Sequence, residues 1–367
     1  MKALIVASVA SMIDQFNRRN IALLQSLGYE VTVATNFVRC GTITSERCQV
    51  LKRDLAALNV TLEQVDFPRS PAHVLQLKKA IRQLKAIAKR THFDLVHCHS
   101  PIGALVSRWV FRKYRHKGTR VIYTAHGFHF CKGSPIKNWI LYYPIEKICS
   151  KWTDELITIN QEDYELAKRK MKAGRVEYVP GVGIDTETFA NATVDKDKKR
   201  EELGIPKDAK VLLSVGELND NKNHQLVIKA IAQLGDANIH YVIAGQGCKE
   251  QYLRELALKL NVNLHLLGFR EDVKELYKMA DVFVFPSKRE GLPVALMEAI
   301  ASECVPVASR IRGNVDLVPS DHCFNVEKTD ELRKLLTSPH LSPIELDGAH
   351  DINAVQKKCK AIYRGSQ

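Results

Sequence analysis

The chain has 367 residues, of which 45% are hydrophobic and 26% are charged, with 19 glycines and 13 prolines. These values are typical of a globular protein of two domains, and they exclude a disordered chain, a collagen-like repeat and a coiled coil. The longest apolar runs, such as residues 3–10, are far shorter than the roughly 20 residues that a membrane-spanning helix needs.

In the first half of the chain, short apolar runs alternate with helical stretches. The candidate strands are ALIVAS, EVTVAT, DLVHCH, RVIYTAH, ELITIN and VEYVP. Runs that are almost entirely Val, Ile and Leu indicate parallel strands that are buried on both faces of a sheet. The pattern therefore predicts an α/β fold, with a doubly wound, Rossmann-like domain over residues 1–182.

The positive charge is concentrated in this first half. The net charge is +13, but residues 1–180 carry 29 Lys and Arg against 14 Asp and Glu, and the remainder is nearly balanced. Part of the excess lies on VLQLKKAIRQLKAIAKR, whose apolar residues recur at helical spacing. An anionic membrane surface, a solvated face and a nucleic acid are the three explanations. We favour the membrane, since no nucleic-acid recognition motif is present and only 7% of residues are aromatic.

The second half repeats the pattern after a break. Residues 183–207 are rich in turns and then in charge, which predicts a linker. The strands KVLLSVG, IHYVIAG, NLHLLG, DVFVFPS and VPVAS then predict a second Rossmann-like domain over residues 208–347, and residues 348–367 a closing helix that packs back toward the first domain. Ligands bind beyond the carboxyl ends of parallel strands, so we expect the two domains to face a common cleft.

The loop after DVFVFPS carries the most informative motif. Gly291, Leu292 and Pro293 open a helix, and the free N–H groups of a first helical turn form an anion site. Glu290 precedes this turn and Glu298 lies within the helix, so both can reach a ligand held over the helix start. Beside a bound diphosphate, carboxylates are favourable where they accept hydrogen bonds from sugar and ribose hydroxyls. The alternative is two solvated charges, but the neighbours of Glu298 are mostly apolar.

Several segments together resemble a known family. Besides the E-x7-E element of Glu290 and Glu298, they are HSPIGALVSR, TAHGFHF, PGVGIDTETF, SVGELNDNKNH, IAGQG and LGFREDVKELYKMADVFVFPS. In order and spacing the chain resembles family 4 retaining glycosyltransferases of the GT-B fold over essentially its whole length, in particular the bacterial capsule and exopolysaccharide branch. The resemblance implies a hexosyltransferase that moves a sugar from a nucleotide diphosphate sugar to a lipid-linked saccharide and retains its anomeric configuration.

The resemblance assigns most of the donor site to the second domain. It implies that Glu290 is catalytic and binds the donor sugar hydroxyls, that Glu298 binds the ribose, and that Lys222 is the cation for the diphosphate. Glu217 stands where the family usually has an arginine, and a carboxylate has no donor to offer a phosphate. Further donor-binding residues are implied at Gly216, Gly245, Phe269, Arg270, Gly291, Leu292 and Pro293.

The first domain is expected to contribute the remaining groups. The resemblance places His126 near the donor sugar and the reacting centre, as a second catalytic residue. The alternative is a histidine that is satisfied by nearby backbone at a strand end. We expect His99 and His129 on the acceptor side. Ser8 and Ser11 join them there, because small residues after the first strand let backbone approach a ligand.

No D-x-D motif is present to hold a divalent cation, so we expect neither an obligatory metal nor another cofactor. The nine cysteines are odd in number and form no C-x-x-C pair, which fits a reducing compartment rather than a disulfide framework or a zinc site. Together with the basic first half, this predicts a cytoplasmic enzyme that is peripheral on the inner face of the plasma membrane.

Three other functions remain open at this point. One is a nucleotide-sugar epimerase or hydrolase on the same fold, which needs no acceptor. Another is a non-catalytic GT-B-like partner subunit, for which Glu217 is the one supporting feature. A nucleic-acid binder is the least favoured, because a basic face alone explains salt-dependent, sequence-independent affinity.

Overall fold

The computed structural model describes residues 1–70 and 72–365. Within it the chain forms two compact units, one made of residues 1–180 with the chain from residue 355 onward, the other of residues 181–354. Each unit contains one sheet whose paired strands are parallel and alternate with helices along the chain. The predicted α/β fold with two doubly wound sheets is confirmed.

The first unit is built on a seven-stranded sheet. Its strands are β1 (Lys2–Val6), β2 (Glu30–Thr35), β3 (Thr61–Gln64), β4 (Leu95–His99), β5 (Arg120–Ala125), β6 (Glu155–Thr158) and β7 (Arg175–Tyr178). Their order in the sheet is β3-β2-β1-β4-β5-β6-β7. The helices between them are α1 (Ala10–Phe16), α2 (Arg18–Ser26), α3 (Ser45–Ala57), α4 (Val74–Arg90), α5 (Pro101–Phe111), α6 (Ile136–Ser150) and α7 (Gln161–Lys170).

The central strand β1 shows why apolar runs become buried strands here. Successive side chains of a strand point to opposite faces of its sheet. Leu4 and Val6 accordingly pack in one apolar core, whereas Ala3 and Ile5 pack in the core on the other side. Both faces of the strand are covered by helices, so every position of this strand after Lys2 is apolar.

The second unit is built on a six-stranded sheet. Its strands are β8 (Lys210–Val215), β9 (Ile239–Ala244), β10 (Asn263–Leu266), β11 (Val282–Phe285), β12 (Val305–Ser309) and β13 (Cys323–Phe324), in the order β10-β9-β8-β11-β12-β13. Its helices are α8 (Thr186–Ala190), α9 (Lys196–Glu202), α10 (His224–Leu234), α11 (Glu250–Lys259), α12 (Val273–Met279), α13 (Val294–Ala301) and α14 (Thr329–Leu336).

Each sheet has one point at which the strand order reverses. In the first sheet β1 pairs with β2 on one side and with β4 on the other, and in the second sheet β8 lies in the same way between β9 and β11. At such a switch point the loops beyond the strand ends separate and leave a crevice. The loops after β1 and β4, and those after β8 and β11, are therefore the places to look for bound ligands.

The segment predicted as a linker differs from that expectation. Residues 183–207 belong to the second unit and contain α8 and α9. Ion pairs hold α9 in place: Lys199 Nζ lies 3.0 Å from Asp272 and 2.6 Å from Glu275, and Arg200 pairs with Asp281 at 3.0 Å. The charges that suggested a solvated linker are thus used for packing.

The last helix, α15 (Ile352–Arg364), belongs to the first unit from Val355 onward. Val355 and Tyr363 are buried in one of the two apolar cores of that unit. Among residues 1–70 and 72–365, no helix combines the length and the apolar character that crossing a membrane requires.

Candidate functional site

Two loops meet at the switch point of the second sheet. They are residues 216–223 after β8 and residues 286–293 after β11. Asn221 joins them twice. Its side-chain Nδ2 donates to the backbone carbonyl of Arg289 at 3.0 Å, and its backbone carbonyl accepts from the backbone N–H of Lys288 at 2.8 Å. Asn223 adds a third link, a 3.3 Å hydrogen bond to the carbonyl of Pro286. The two loops therefore form one connected surface.

Lys222 and Glu290 face each other on this surface. Lys222 Nζ donates to Glu290 Oε1 at 2.8 Å and lies 4.6 Å from the ring centroid of Phe285, a cation–π distance. Gly216 makes room for the lysine, since a Cβ at that position would lie 3.2 Å from Lys222 Cε. The sequence thus correctly placed a cation and a carboxylate at the ends of two strands, and the structure adds that they form an ion pair.

Glu290 is held from the other side by a residue that sequence reasoning missed. Arg312 donates from Nε and Nη2 to the carbonyl oxygen of Glu290, at 3.2 and 3.1 Å. Its neighbour Gly313 has φ +81°, and a Cβ there would lie 2.1 Å from the carbonyl oxygen of Gly291. The only sequence signal was an Arg-Gly pair in the loop after β12. The site consequently includes a second cation, Arg312, and a close approach between the backbones of Gly313 and Gly291.

The helix α13 begins directly after this loop. Its N-cap is Pro293, which provides no side-chain hydrogen bond to the first turn. Within the helix, Glu298 accepts a 3.0 Å hydrogen bond from the hydroxyl of Tyr277. Burial raises the pKa of Glu298, and the Tyr277 hydrogen bond opposes that rise. Glu298 is therefore a half-buried carboxylate inside α13, and its orientation is fixed by the hydrogen bond from Tyr277.

Two further residues of the predicted donor site, Arg270 and Phe269, differ in their surroundings. Arg270 pairs with Asp272, Nε to Oδ1 at 2.7 Å, and with Glu202 at 3.1 Å. Its charge is therefore shared with two carboxylates, and its role in donor binding stays a prediction. Phe269 is 72% exposed and packs against no core. Glu217, at the unusual position, is also exposed.

Gly245 has a structural role. A Cβ at Gly245 would lie 1.8 Å from the carbonyl oxygen of Gly216, and its N–H donates to the carbonyl of Gly268 at 2.7 Å. Only glycine permits this approach of three neighbouring loops. Gly245 therefore fixes the position of Gly216, against which the side chain of Lys222 packs.

In the first unit, three histidines lie together at the ends of β4 and β5. His126 Nε2 and His99 Nδ1 are 3.1 Å apart, and the two rings of His97 and His99 have centroids 4.1 Å apart. His97 also contacts Tyr363 Oη and Thr124 Oγ1, both at 2.8 Å. Burial lowers the pKa of His126 to about 4 and that of His97 to about 3, so both are neutral at pH 7.

His99 corrects a prediction. It is only 1% exposed, so it cannot line an acceptor surface and instead contacts the partly exposed His126. The reason is that His99 ends a central strand and is covered by its neighbours. Ser11 is also buried, and its N–H donates to the carbonyl of Cys40 at 2.8 Å. Neither His99 nor Ser11 lines the cavity that lies at the carboxyl ends of these strands.

That cavity has a volume of about 650 Å³ and lies at the carboxyl ends of the strands around the switch point. Ser8 and His129, both predicted on the acceptor side, line it. Ser8 Oγ accepts from the N–H of Gly103 at 2.8 Å and lies 2.7 Å from Ser100 Oγ, which joins the loop after β1 to the start of α5. The ring of His129 packs beside Tyr142, with centroids 4.7 Å apart.

Comparison with known proteins identifies the family. Residues 18–188 match the model of Glycosyltransferase Family 4, and residues 195–338 match that of Glycosyl transferases group 1. EpsD of Bacillus subtilis strain 168, which carries the name of a glycosyltransferase, is 37% identical over 86% of this chain and 81% of its own. The Escherichia coli UDP-Gal:alpha-D-GlcNAc-diphosphoundecaprenol alpha-1,3-galactosyltransferase is 31% identical over 66% of this chain and 64% of its own.

Solved structures show the same fold. Anabaena Alr3699/HepE in complex with UDP-glucose has a TM-score of 0.75 at 16% identity and covers both chains completely. WaaG, a glycosyltransferase involved in lipopolysaccharide biosynthesis, has a TM-score of 0.63 at 17% identity over 100% of this chain and 96% of its own. At these identities the likeness concerns the fold alone, and the sequence matches supply the family. The chain therefore belongs to the family 4 glycosyltransferases of the GT-B fold.

Proposed function

We propose that this glycosyltransferase transfers a sugar from a nucleotide diphosphate sugar to a lipid-linked saccharide in exopolysaccharide or capsule assembly, with retention of anomeric configuration. The names of the relatives support this reaction. The E. coli relative is named for a UDP-Gal donor and a diphosphoundecaprenol acceptor, and a 25% identical Campylobacter jejuni relative is named as an N-acetylgalactosaminyltransferase that acts on a diphospho-undecaprenol sugar.

The observation that carries the proposal is the ion pair between Lys222 and Glu290 at the switch point of the second sheet. A donor diphosphate bound there gains a charge-assisted hydrogen bond from Lys222. Glu290, held through its backbone by Arg312, then accepts from hydroxyls of the sugar. In this proposal Glu298, which also accepts a hydrogen bond from Tyr277, accepts from the ribose. The ammonium of Lys222 thus donates to phosphate, and the carboxylates of Glu290 and Glu298 accept from hydroxyls.

The same charges supply the catalysis in this proposal. As the bond to the sugar breaks, negative charge grows on the leaving diphosphate, and Lys222 and the start of α13 are positive groups already in place. We therefore propose that no metal is obligatory. The acceptor hydroxyl attacks from the face that the diphosphate leaves, which retains the configuration without a protein nucleophile. His126, neutral at pH 7, provides a hydrogen bond to the donor sugar.

We further propose that the enzyme works at the cytoplasmic face of the plasma membrane. Besides the basic residues of the first unit, helix α6 exposes Ile136, Ile140 and Leu141 to solvent. Lys137 and Lys147 lie on the same helix. Exposed apolar side chains flanked by lysines are typical of a surface that enters the headgroup region of an anionic bilayer.

The test is a transfer assay with nucleotide sugars and an undecaprenyl diphosphate saccharide. We expect Lys222→Ala to lower kcat/KM at least tenfold, as loss of a charge-assisted hydrogen bond of about 1.5–3 kcal/mol requires. Lys328→Ala is the matched control, since Lys328 pairs with Glu331 on the surface of the same unit and outside both loops. Full activity of Lys222→Ala would contradict the site. Donor consumption without acceptor would indicate an epimerase or hydrolase instead, and donor binding without turnover a non-catalytic subunit.

A further inference from the structure

We propose that the cavity of the first unit binds the diphosphate and the adjoining hydrocarbon of the lipid-linked acceptor, rather than its sugars. This inference rests on the proposed function, since it assigns a part of the acceptor to a place in the chain. It identifies Arg39 and Arg69 as the residues that recognise the acceptor's charge, and neither has a role so far.

The cavity lies where a sheet of this kind binds ligands. Its lining comes from the loops that follow β1, β2, β3, β4 and β5, all at the carboxyl edge of the sheet. With a volume of about 650 Å³, it has the size of a small-molecule site. Pro101 and Ile102, in the first turn of α5, also line it, and the N-terminal end of a helix adds partial positive charge.

The charge of the lining has one sign. Arg39 and Arg69 both line the cavity and are exposed. Within the described residues neither guanidinium forms an ion pair, and the lining contains no Asp or Glu. Elsewhere in this unit arginines such as Arg18, Arg47 and Arg115 are paired with carboxylates. Two unpaired guanidiniums beside a cavity are a site for phosphate oxygens, which they bind in a bidentate manner.

Apolar atoms make up the larger part of the exposed lining, and this bears on which end of the acceptor fits. Val38, Phe67, Pro68 and Ile102 are apolar lining residues, and Ser8, Ser100, His129 and Tyr142 add polar groups. The hydroxyls of Ser8 and Ser100 already bond to each other at 2.7 Å, and the described lining has no carboxylate or carboxamide to accept from sugar hydroxyls. Phosphate together with hydrocarbon matches arginine together with apolar side chains. The lining therefore fits the lipid-proximal end of the acceptor.

Helix α6 carries one residue of the cavity lining as well as exposed apolar residues. Tyr142 is on that helix, next in sequence to the exposed residues Ile140 and Leu141. The proposed acceptor site and the proposed membrane-facing side chains thus share one helix, which fits an acceptor that is anchored in a bilayer.

The experiment measures binding by the full chain to farnesyl diphosphate, farnesol and inorganic diphosphate, by calorimetry and without vesicles. We expect farnesyl diphosphate to bind at least tenfold more tightly than either of the other two. Arg39→Gln combined with Arg69→Gln should weaken that binding at least tenfold. The matched control is Arg53→Gln, an exposed arginine of α3 outside the cavity. Thermal unfolding midpoints equal to that of the natural chain show that the variants are folded.

Two further measurements separate the possible outcomes. Binding of UDP should be unchanged in the double variant, so a chain that binds farnesyl diphosphate but no nucleotide would contradict the proposed function and leave this site standing. Binding to phosphatidylglycerol vesicles is measured in parallel. If the double variant loses vesicle binding but keeps full affinity for farnesyl diphosphate, the arginines bind a membrane surface and the proposal is wrong. Equal affinity for inorganic and farnesyl diphosphate would also overturn it.

Discussion

At the scale of single residues, the geometry of the proposed donor site depends on how closely backbone atoms of neighbouring loops approach each other. The carbonyl of Glu290 accepts from Arg312, and the carbonyl of Gly291 lies where a Cβ of Gly313 would be. The loop after β12 therefore fixes the position of the loop that carries Glu290 through these two contacts. Any side chain at position 313 has to displace that loop, and Glu290 with it.

We predict that Gly313→Ala destabilises the second unit and weakens donor binding. A left-handed φ costs a non-glycine residue about 1–2 kcal/mol, and forcing a methyl group into a filled space adds about 1–3 kcal/mol. Gly235→Ala is the matched control, because Gly235 has φ +65° but nothing within 4 Å of its Cβ position. Denaturant unfolding and calorimetry with UDP measure the two effects. If both variants lose the same stability and keep the same affinity, the steric explanation is wrong.

At the scale of elements, helix α6 combines a buried ion pair with exposed apolar residues. Glu146 on α6 pairs with the fully buried Arg108 of α5, with Nη1 2.8 Å from Oε2 and Nη2 3.1 Å from Oε1. Arg108 also lies 4.2 Å from the ring centroid of Tyr123. A buried pair tolerates no loss of one partner, so it holds the helix in one rotation about its axis. That rotation leaves Ile140 and Leu141 in solvent.

We predict that Ile140→Glu lowers binding to phosphatidylglycerol vesicles about tenfold. Burying an isoleucine side chain contributes about 1.5–3 kcal/mol, and a carboxylate in addition repels the anionic lipid. Leu258→Glu on α11 is the control, because Leu258 is 84% exposed but lies in the other unit, whose charge is nearly balanced. Co-sedimentation with vesicles measures both. A loss of binding in the Leu258 variant that equals the loss in the Ile140 variant would contradict a role specific to α6.

At the scale of the whole molecule, stability depends on pH through buried histidines. In the folded first unit burial lowers the pKa of His97 to about 3 and that of His126 to about 4, whereas an unfolded histidine titrates near 6.5. Above pH 6.5 both histidines are neutral in the folded and in the unfolded chain, so they do not make the free energy of unfolding depend on pH. Below it only the unfolded state gains the proton, so stability falls by up to about 1.4 kcal/mol per pH unit for each histidine.

We therefore predict that the first unit loses stability as the pH falls from 6.5 to 4.5, and that His97→Gln makes this dependence shallower. All three tryptophans, Trp109, Trp139 and Trp152, are in the first unit, so their fluorescence during urea unfolding reports on that unit. His340→Gln, at an exposed position in the second unit, is the control and should leave the slope unchanged. A slope for His97→Gln equal to that of the natural chain would contradict the prediction.

The sequence by itself determined the two sheets and the position of Lys222 and Glu290 at one edge of the second sheet. Strands covered on both faces must be apolar at nearly every position, so the central strands were readable as short runs of Val, Ile and Leu. Side chains that directly follow such strands lie at one edge of the sheet. For that reason Lys222 and Glu290 could be placed together although 67 residues separate them in the chain. The edge strands β3 and β13 were missed, because one contains polar residues and the other has only two residues.

Only the tertiary structure decided how individual charges and rings are used. Arg270 pairs with Asp272 and Glu202, His99 is covered by its neighbours, and residues 183–207 pack as helices of the second unit. Arg312 had only a weak signal in the sequence, an Arg-Gly pair, and the cavity with Arg39 and Arg69 had none. The physical reason is common to all of these. Periodicity reports whether a side chain is buried, whereas its partner is set by elements that are far apart in the chain and adjacent only after folding.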